Sequence, residues 1–138
     1  MEIRIGGRPE IKALRRRYKH LRKLIWTGRN AYIAVAKRGT EIAAFAFVFR
    51  RKAPGGREDF INVIEVIDPA DRNAGLGSAL VARVIESARA NGSSQVRAYF
   101  DNGNAASRAL WLKNGFGLTP EGPGAFAVYH ISGDRYEP

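Results

Sequence analysis

One junction limits what this chain can fold into: residues 60–92, "FINVIEVIDPADRNAGLGSALVARVIESARANG". The run "FINVIEVI" is apolar and β-branched apart from Asn62 and Glu65, which predicts a central strand buried on both faces. Asp68-Pro69 stops it. Gly75 and Gly77 then open a stretch with helical apolar spacing, predicted as a helix over 77–90 and closed by Asn91-Gly92. A helix start leaves its first amides without backbone acceptors. Those amides and the helix dipole attract anions, and glycine lets a phosphate approach because no Cβ intervenes. The turn is either a phosphate cradle or an ordinary strand-to-helix connection.

Two familiar phosphate loops do not fit. A dinucleotide fingerprint needs a third small residue where Leu80 stands, and no acidic residue ends a following strand at the usual distance. A Walker loop needs a lysine after its last glycine, and Ser78 follows Gly77. What remains is Arg72-x-x-Gly75-x-Gly77 behind a buried strand and Pro69.

The flanking segments place this junction in a mixed α/β chain. "MEIRIG" alternates as a strand, and "PEIKALRRRYKHLRKLIW" reads as a helix that starts at Pro9 and Glu10. Its stripe is Ile11, Leu14, Tyr18, Leu21 and Ile25, with cations on the opposite side. "AYIAVAKRG" and "EIAAFAFVFRR" form a hairpin, and "KAPGGRED" reads as a loop that carries Glu58 and Asp59. "SQVRAYF", "NAASRALWLKNG" and "AFAVYHI" follow as strand, helix and strand. At 138 residues the chain is predicted to be a single domain, 1–138. It contains no cysteine, which excludes disulfides and thiol nucleophiles, and its two histidines, His20 and His130, are read as structural, so no metal is expected. No segment has the length and apolarity of a membrane span, so no membrane association is expected and the cytoplasm is the expected compartment.

"RNAGLG" resembles the Arg/Gln-x-x-Gly-x-Gly/Ala signature of the GNAT superfamily of acetyl-CoA-dependent N-acetyltransferases. "NGNAASRALWLKNGFG" is similar to that family's Asn-x-x-Ala-x-x-Leu-Tyr-x-x-x-Gly-Phe stretch, with Asn104, Leu110, Gly115 and Phe116 in register. Ser107 stands at the alanine position. The two segments span about residues 60–117 and leave the first sixty residues without a matching motif. The resemblance implies a mostly antiparallel twisted sheet flanked by helices, with a strand-turn-helix CoA site. It implies that Arg72, Asn73, Ala74, Gly75, Leu76 and Gly77 hold the CoA pyrophosphate, with Ser78 adding a hydroxyl. Val66 and Ile67 would pair with the pantetheine arm, and Asn104 would contact it beyond the next strand. The cosubstrate implied is acetyl-CoA, attacked directly by a primary amine.

Such a reaction needs a neutral amine, oxyanion stabilisation and a proton for the leaving thiolate. Backbone amides supply the second. For the third, Trp111 stands where the family carries a tyrosine, and an indole N–H is no useful acid. Tyr99 and Tyr129 are candidate substitutes, with Tyr99 ahead of the two, and either also reads as a plain sheet residue. Glu65, a carboxylate in an apolar run, is the candidate base; a salt bridge is the competing reading. A degenerate CoA-binding fold that serves as a binding module stays open.

The net charge of +10 is uneven: residues 1–60 carry 16 Lys/Arg against 5 Asp/Glu, and residues 61–138 carry 7 against 8. The basic helix, with Arg15, Arg16, Lys19 and Lys23, is expected to meet nucleic acid or an acidic protein, or else to be a solvated face. An acidic or nucleic-acid-linked acceptor fits the same charge. A homodimer stays open.

Overall fold

The computed structural model describes residues 1–19 and 30–131. In chain order these form β1 (Glu2–Ile5), α1 (Arg8–Arg17), β2 (Ala31–Arg38), β3 (Glu41–Ala53) and β4 (Gly56–Val66). A 3-10 turn (Pro69–Asp71), α2 (Leu76–Ala90), β5 (Gln95–Asp101), α3 (Ala105–Lys113), β6 (Gly117–Glu121) and β7 (Gly124–His130) follow. The strands make one sheet in the order β1-β2-β3-β4-β5-β7-β6. Every neighbouring pair is antiparallel except β4 and β5.

Strand alternation sorts the core into two layers. Ile33, Val35, Phe45 and Phe47 face α1 and pack with Leu14 and with Tyr18, whose ring lies 5.3 Å from that of Phe45. Ala34, Ala36, Ala44 and Ala46 line the other face, where Leu80, Val84 and Ala88 of α2 are fully buried. The alanine side lets α2 lie close to the sheet. Each fully buried leucine or valine there contributes about 2 kcal/mol of apolar burial.

α1 starts as expected. The Glu10 carboxylate accepts the Gly7 N–H at 2.7 Å, satisfying one orphan donor, and binds Arg4 at 3.1 Å and Lys37 at 3.0 Å. One carboxylate thus ties α1 to β1 and β2. The helix ends at Arg17, with Tyr18 as its C-cap, short of the expected Trp26. Leu21, Ile25, His20 and Lys23 lie outside the described residues.

Three expectations need correction. "KAPGGRED" is no loop: β3 continues to Ala53 and β4 begins at Gly56, so the turn is confined to the residues between. Glu58 and Asp59 are therefore strand residues, and they are 1% and 0% exposed. Glu58 holds Arg51 at 2.7 Å, Arg97 at 2.9 Å and the Gln95 amide at 2.8 Å. Asp59 accepts from Tyr32 and Ser93 hydroxyls, each at 2.6 Å, and from Arg50 at 3.1 Å. Burial raises the Tyr32 phenol well above its usual range, and the neighbouring Asp59 adds to that. Second, a further strand, β6, precedes β7 and forms the last hairpin with it. Third, "FINVIEVI" is not buried throughout. Asn62 and Glu65 are exposed, and Asn62 is an extra residue in β4, since Phe47 pairs with Val63 and Val48 with Ile61.

Candidate active site

The sheet splits between β4 and β5. They pair only from Glu58 and Gln95 to Ile61 and Ala98, although β4 runs on to Val66 and β5 to Asp101. Beyond that point β4 stays with β3 and β5 with β7, which opens a notch in the middle of the sheet. Backbone groups alternate sides along an antiparallel ladder. The Ile67 N–H donates to the Ala43 carbonyl at 2.9 Å, so it is committed to the β3 side. The amides of Val66 and Ile64 therefore point the other way, into the notch.

β4 leads into the glycine turn. Asp68 accepts the Ala70 and Asp71 amides, each at 2.9 Å, and Asp71 pairs with Arg38 of β2 at 2.7 Å. This anchors the turn to the β2–β3 hairpin. Arg72 leaves it extended and exposed. Asn73 (φ 66°) and Gly75 (φ 79°) are both left-handed. Ala79 donates the first helical bond to the Gly75 carbonyl at 3.0 Å, which leaves the Leu76, Gly77 and Ser78 amides without helical acceptors.

The two glycines do different work. A Cβ on Gly75 would meet nothing within 4 Å, so open space lies in front of it. A Cβ on Gly77 would stand 3.2 Å from Leu110 Cδ1. Gly75 lets a ligand approach, while Gly77 lets α3 approach α2. Between the turn and α3 runs a groove of about 300 Å³, lined by Val66, Asn73, Gly75, Ala106 and Lys113 among others. Open space, a positive helix end and small side chains fit a phosphate-bearing cofactor arm.

The remaining candidates are placed as follows. Ser78 Oγ accepts from Asn114 Nδ2 at 3.1 Å, which leaves its own proton for another acceptor. Asn104 caps α3, its Oδ1 accepting the Ser107 N–H at 3.0 Å. Glu65 is exposed on β4, on the α1 side with Val63 and Ile67 by strand alternation. Tyr99 is 37% exposed, and its hydroxyl donates to the Glu121 carbonyl at 3.0 Å. Tyr129 packs with Phe116 at 5.5 Å. Trp111 is 2% exposed, its ring 5.0 Å from Phe116, and its Nε1 has no hydrogen-bond partner among the described residues. Arg16 and Lys19 are exposed and Arg15 is half-buried. Among the described residues, no group of three or more His, Cys, Asp or Glu side chains is placed to hold a metal ion, and no helix is long and apolar enough to cross a membrane.

Two contributors escaped sequence reasoning. Lys113 brings a cation to the groove, and Asn114 orients Ser78. Both sit in the unspecified positions between Trp111 and Gly115, so no motif marks them. A lysine in the last turn of a helix that abuts a glycine turn is the one signal that would have found Lys113.

No curated protein matches this chain in sequence. Solved structures share its fold at low identity. The PaiA N-acetyltransferase of Thermoplasma acidophilum, in complex with coenzyme A, is 14% identical with a TM-score of 0.75, over 95% of this chain and 100% of that one. A GNAT family acetyltransferase of Elizabethkingia anophelis with acetyl-CoA bound is 16% identical, TM-score 0.69, over 94% and 97%. An acetyltransferase of Bacillus subtilis in complex with CoA is 16% identical, TM-score 0.72, over 94% and 98%. The family model for the acetyltransferase (GNAT) family matches residues 7–116, which takes in the split sheet, the glycine turn and α3, and the chain belongs to that family.

Proposed function

We propose that this protein is an N-acetyltransferase that moves the acetyl group of acetyl-CoA to a primary amine by direct attack. The observation that carries the reading is the glycine turn. It has an open approach at Gly75, amides from Leu76 to Ser78 without helical acceptors and Lys113 across the groove, next to a notch in the sheet. The pyrophosphate would lie on those amides, with the Ser78 hydroxyl and Lys113 adding donors. The thioester would lie in the notch, where the Val66 and Ile64 amides are aimed to stabilise the oxyanion.

Glu65 is the proposed base. It is exposed, stands on the strand that forms the notch and faces the α1 side. Tyr99, on the opposite strand of the notch, is the proposed donor to the thiolate. Its hydroxyl would have to leave the Glu121 carbonyl to serve. A thiol pKa near 8.5 makes the thiolate a tolerable leaving group, so general acid help is worth at most about 10²–10⁴-fold here. The acceptor is proposed to be an amine on an acidic or nucleic-acid-linked molecule, drawn by the charge excess in the first sixty residues.

Calorimetry with acetyl-CoA on wild type and Gly75→Glu tests the site, because a carboxylate in the open space opposes a phosphate. Micromolar binding lost in the variant is expected. No binding by a folded wild type refutes the reading. Binding without thiol release in the presence of any amine would favour a non-catalytic CoA-binding module instead.

A further inference from the structure

The β3–β4 hairpin projects past the sheet on both sides. β2 stops pairing with β3 at Ala31 and Phe49, and β5 starts pairing with β4 at Gln95 and Glu58. The overhang, residues 50–57, reads "RRKAPGGR": four cations and no acidic residue. Arg50 and Arg51 are held by Asp59 and Glu58, and Glu58 also holds Arg97. Lys52 and Arg57 are exposed and have no ion-pair partner among the described residues. Two carboxylates therefore face five cations, and the surplus is concentrated at one end of the sheet. A groove of about 890 Å³ at this end is lined by Phe49 with Arg50, Arg51, Lys52 and Arg57.

The paired arginines are not spent. Arg51 lies over Phe60, its guanidinium carbon 4.2 Å from the ring centroid, and Glu58 fixes its Nε at 2.7 Å. Its side chain is nevertheless 46% exposed. The ring on one side and the carboxylate at Nε hold the side chain in place while much of it stays exposed. A guanidinium so held accepts a stacked base, while Lys52 and Arg57, which strand alternation puts on the other face of the hairpin, track a backbone of phosphates that crosses its edge. Arg97 continues the stack, 5.5 Å from Phe60 and 4.4 Å from Phe126.

We infer that the hairpin overhang is the docking surface for a single-stranded nucleic acid. Phosphates lie along Lys52 and Arg57, and a base stacks on Arg51. The surface is far along the sheet from the glycine turn, which follows the other end of β4. It rests on charge and stacking geometry, and it stands or falls separately from acetyl transfer.

The test is fluorescence anisotropy of the full chain with a labelled mixed-sequence RNA of about twelve nucleotides, a length suited to such surfaces. Salt is varied from low to physiological. The Lys52→Glu/Arg57→Glu variant removes two exposed cations that have no ion-pair partner among the described residues. It is expected to weaken binding on the order of tenfold and to lower the log–log salt slope by about 1.4, the value for two phosphates on a single strand. Arg16→Glu/Lys19→Glu, at the C-terminal end of α1 and off the hairpin, is expected to change affinity much less than the hairpin variant does. A duplex of the same strand, or polyglutamate, is expected to compete poorly. Binding without a salt slope, equal sensitivity to the helix variant, or equally good competition by duplex or polyglutamate would each overturn the inference; the last points to an acidic protein. Calorimetry with acetyl-CoA on the hairpin variant is expected to match wild type, which keeps the two readings apart.

Discussion

Gly75 and Gly92 form a matched pair. Both sit at φ 79°, one at the start of α2 and one just past its end. A Cβ on either would meet nothing within 4 Å. Replacing either by alanine therefore imposes the same backbone penalty and no clash. A left-handed alanine costs about 1–2 kcal/mol, and a domain of this size loses about 2–4 °C of Tm per kcal/mol. Each variant should melt about 2–8 °C below wild type, and the two should agree closely.

Their effects on acetyl-CoA should differ sharply. At Gly75 the new methyl fills the open space in front of the Leu76, Gly77 and Ser78 amides. A phosphate held off by that methyl loses one charge-assisted bond or more, each worth about 1.5–3 kcal/mol. The Kd should rise about 10- to 100-fold. At Gly92 there is no cradle, and the Kd should stay within about twofold of wild type, inside the scatter of a surface change. Thermal melts and calorimetry on the same preparations decide the matter. If both variants bind like wild type, the cofactor does not approach Gly75. If both weaken equally, the loss comes from α2 as a whole and the cradle argument fails.

Two more outcomes follow from named contacts. The Glu10 carboxyl is held at about 2, against an ordinary 4.5, first by the Gly7 amide and then by Lys37. A depressed carboxyl stabilises the fold above the unfolded value and loses that contribution as pH falls from about 4.5 towards 2. Only 5% of Glu10 is exposed, but Arg4 beside it is 44% exposed, so solvent trims the contribution to about 2 kcal/mol. Urea unfolding from pH 7 to pH 2 should show Glu10→Gln weaker by that amount at neutral pH and equal to wild type at the acid end. A constant gap would refute the linkage. Trp111→Phe removes a buried donor that has no partner among the described residues, which offsets part of the lost packing, so stability should change by less than about 1.5 kcal/mol. Once an acceptor is in hand, kcat should hold within about twofold, since the partnerless indole serves no acid role. A tenfold fall in kcat at unchanged KM would show that the indole N–H acts on the reacting atoms.

How far the sequence could be read depended on how local each cause was. The glycine turn was legible because its requirements are local: an open backbone at Gly75, a helix behind it and a strand before it. The same holds for the α1 start, where Pro9 and Glu10 lie within one turn. The separate duty of Gly77 was hidden, since its reason is Leu110 on another helix. β4 shows the limit most clearly, because its carboxylates read the wrong way round. Glu58 and Asp59 stand next to Pro54, Gly55 and Gly56 and look like loop charges. They are buried because their partners come from distant segments: Arg97 from β5, Ser93 from the turn after α2, and Tyr32 from β2. A buried carboxylate survives only where such partners converge, and no local pattern reports that. Glu65 sits in an apolar run and looks buried, yet it is exposed. Past Ile61, β4 has a strand on one side only, because β5 has turned away to stay with β7. The exposure of Glu65 and the opening of the notch thus have one cause, the parting of two parallel strands.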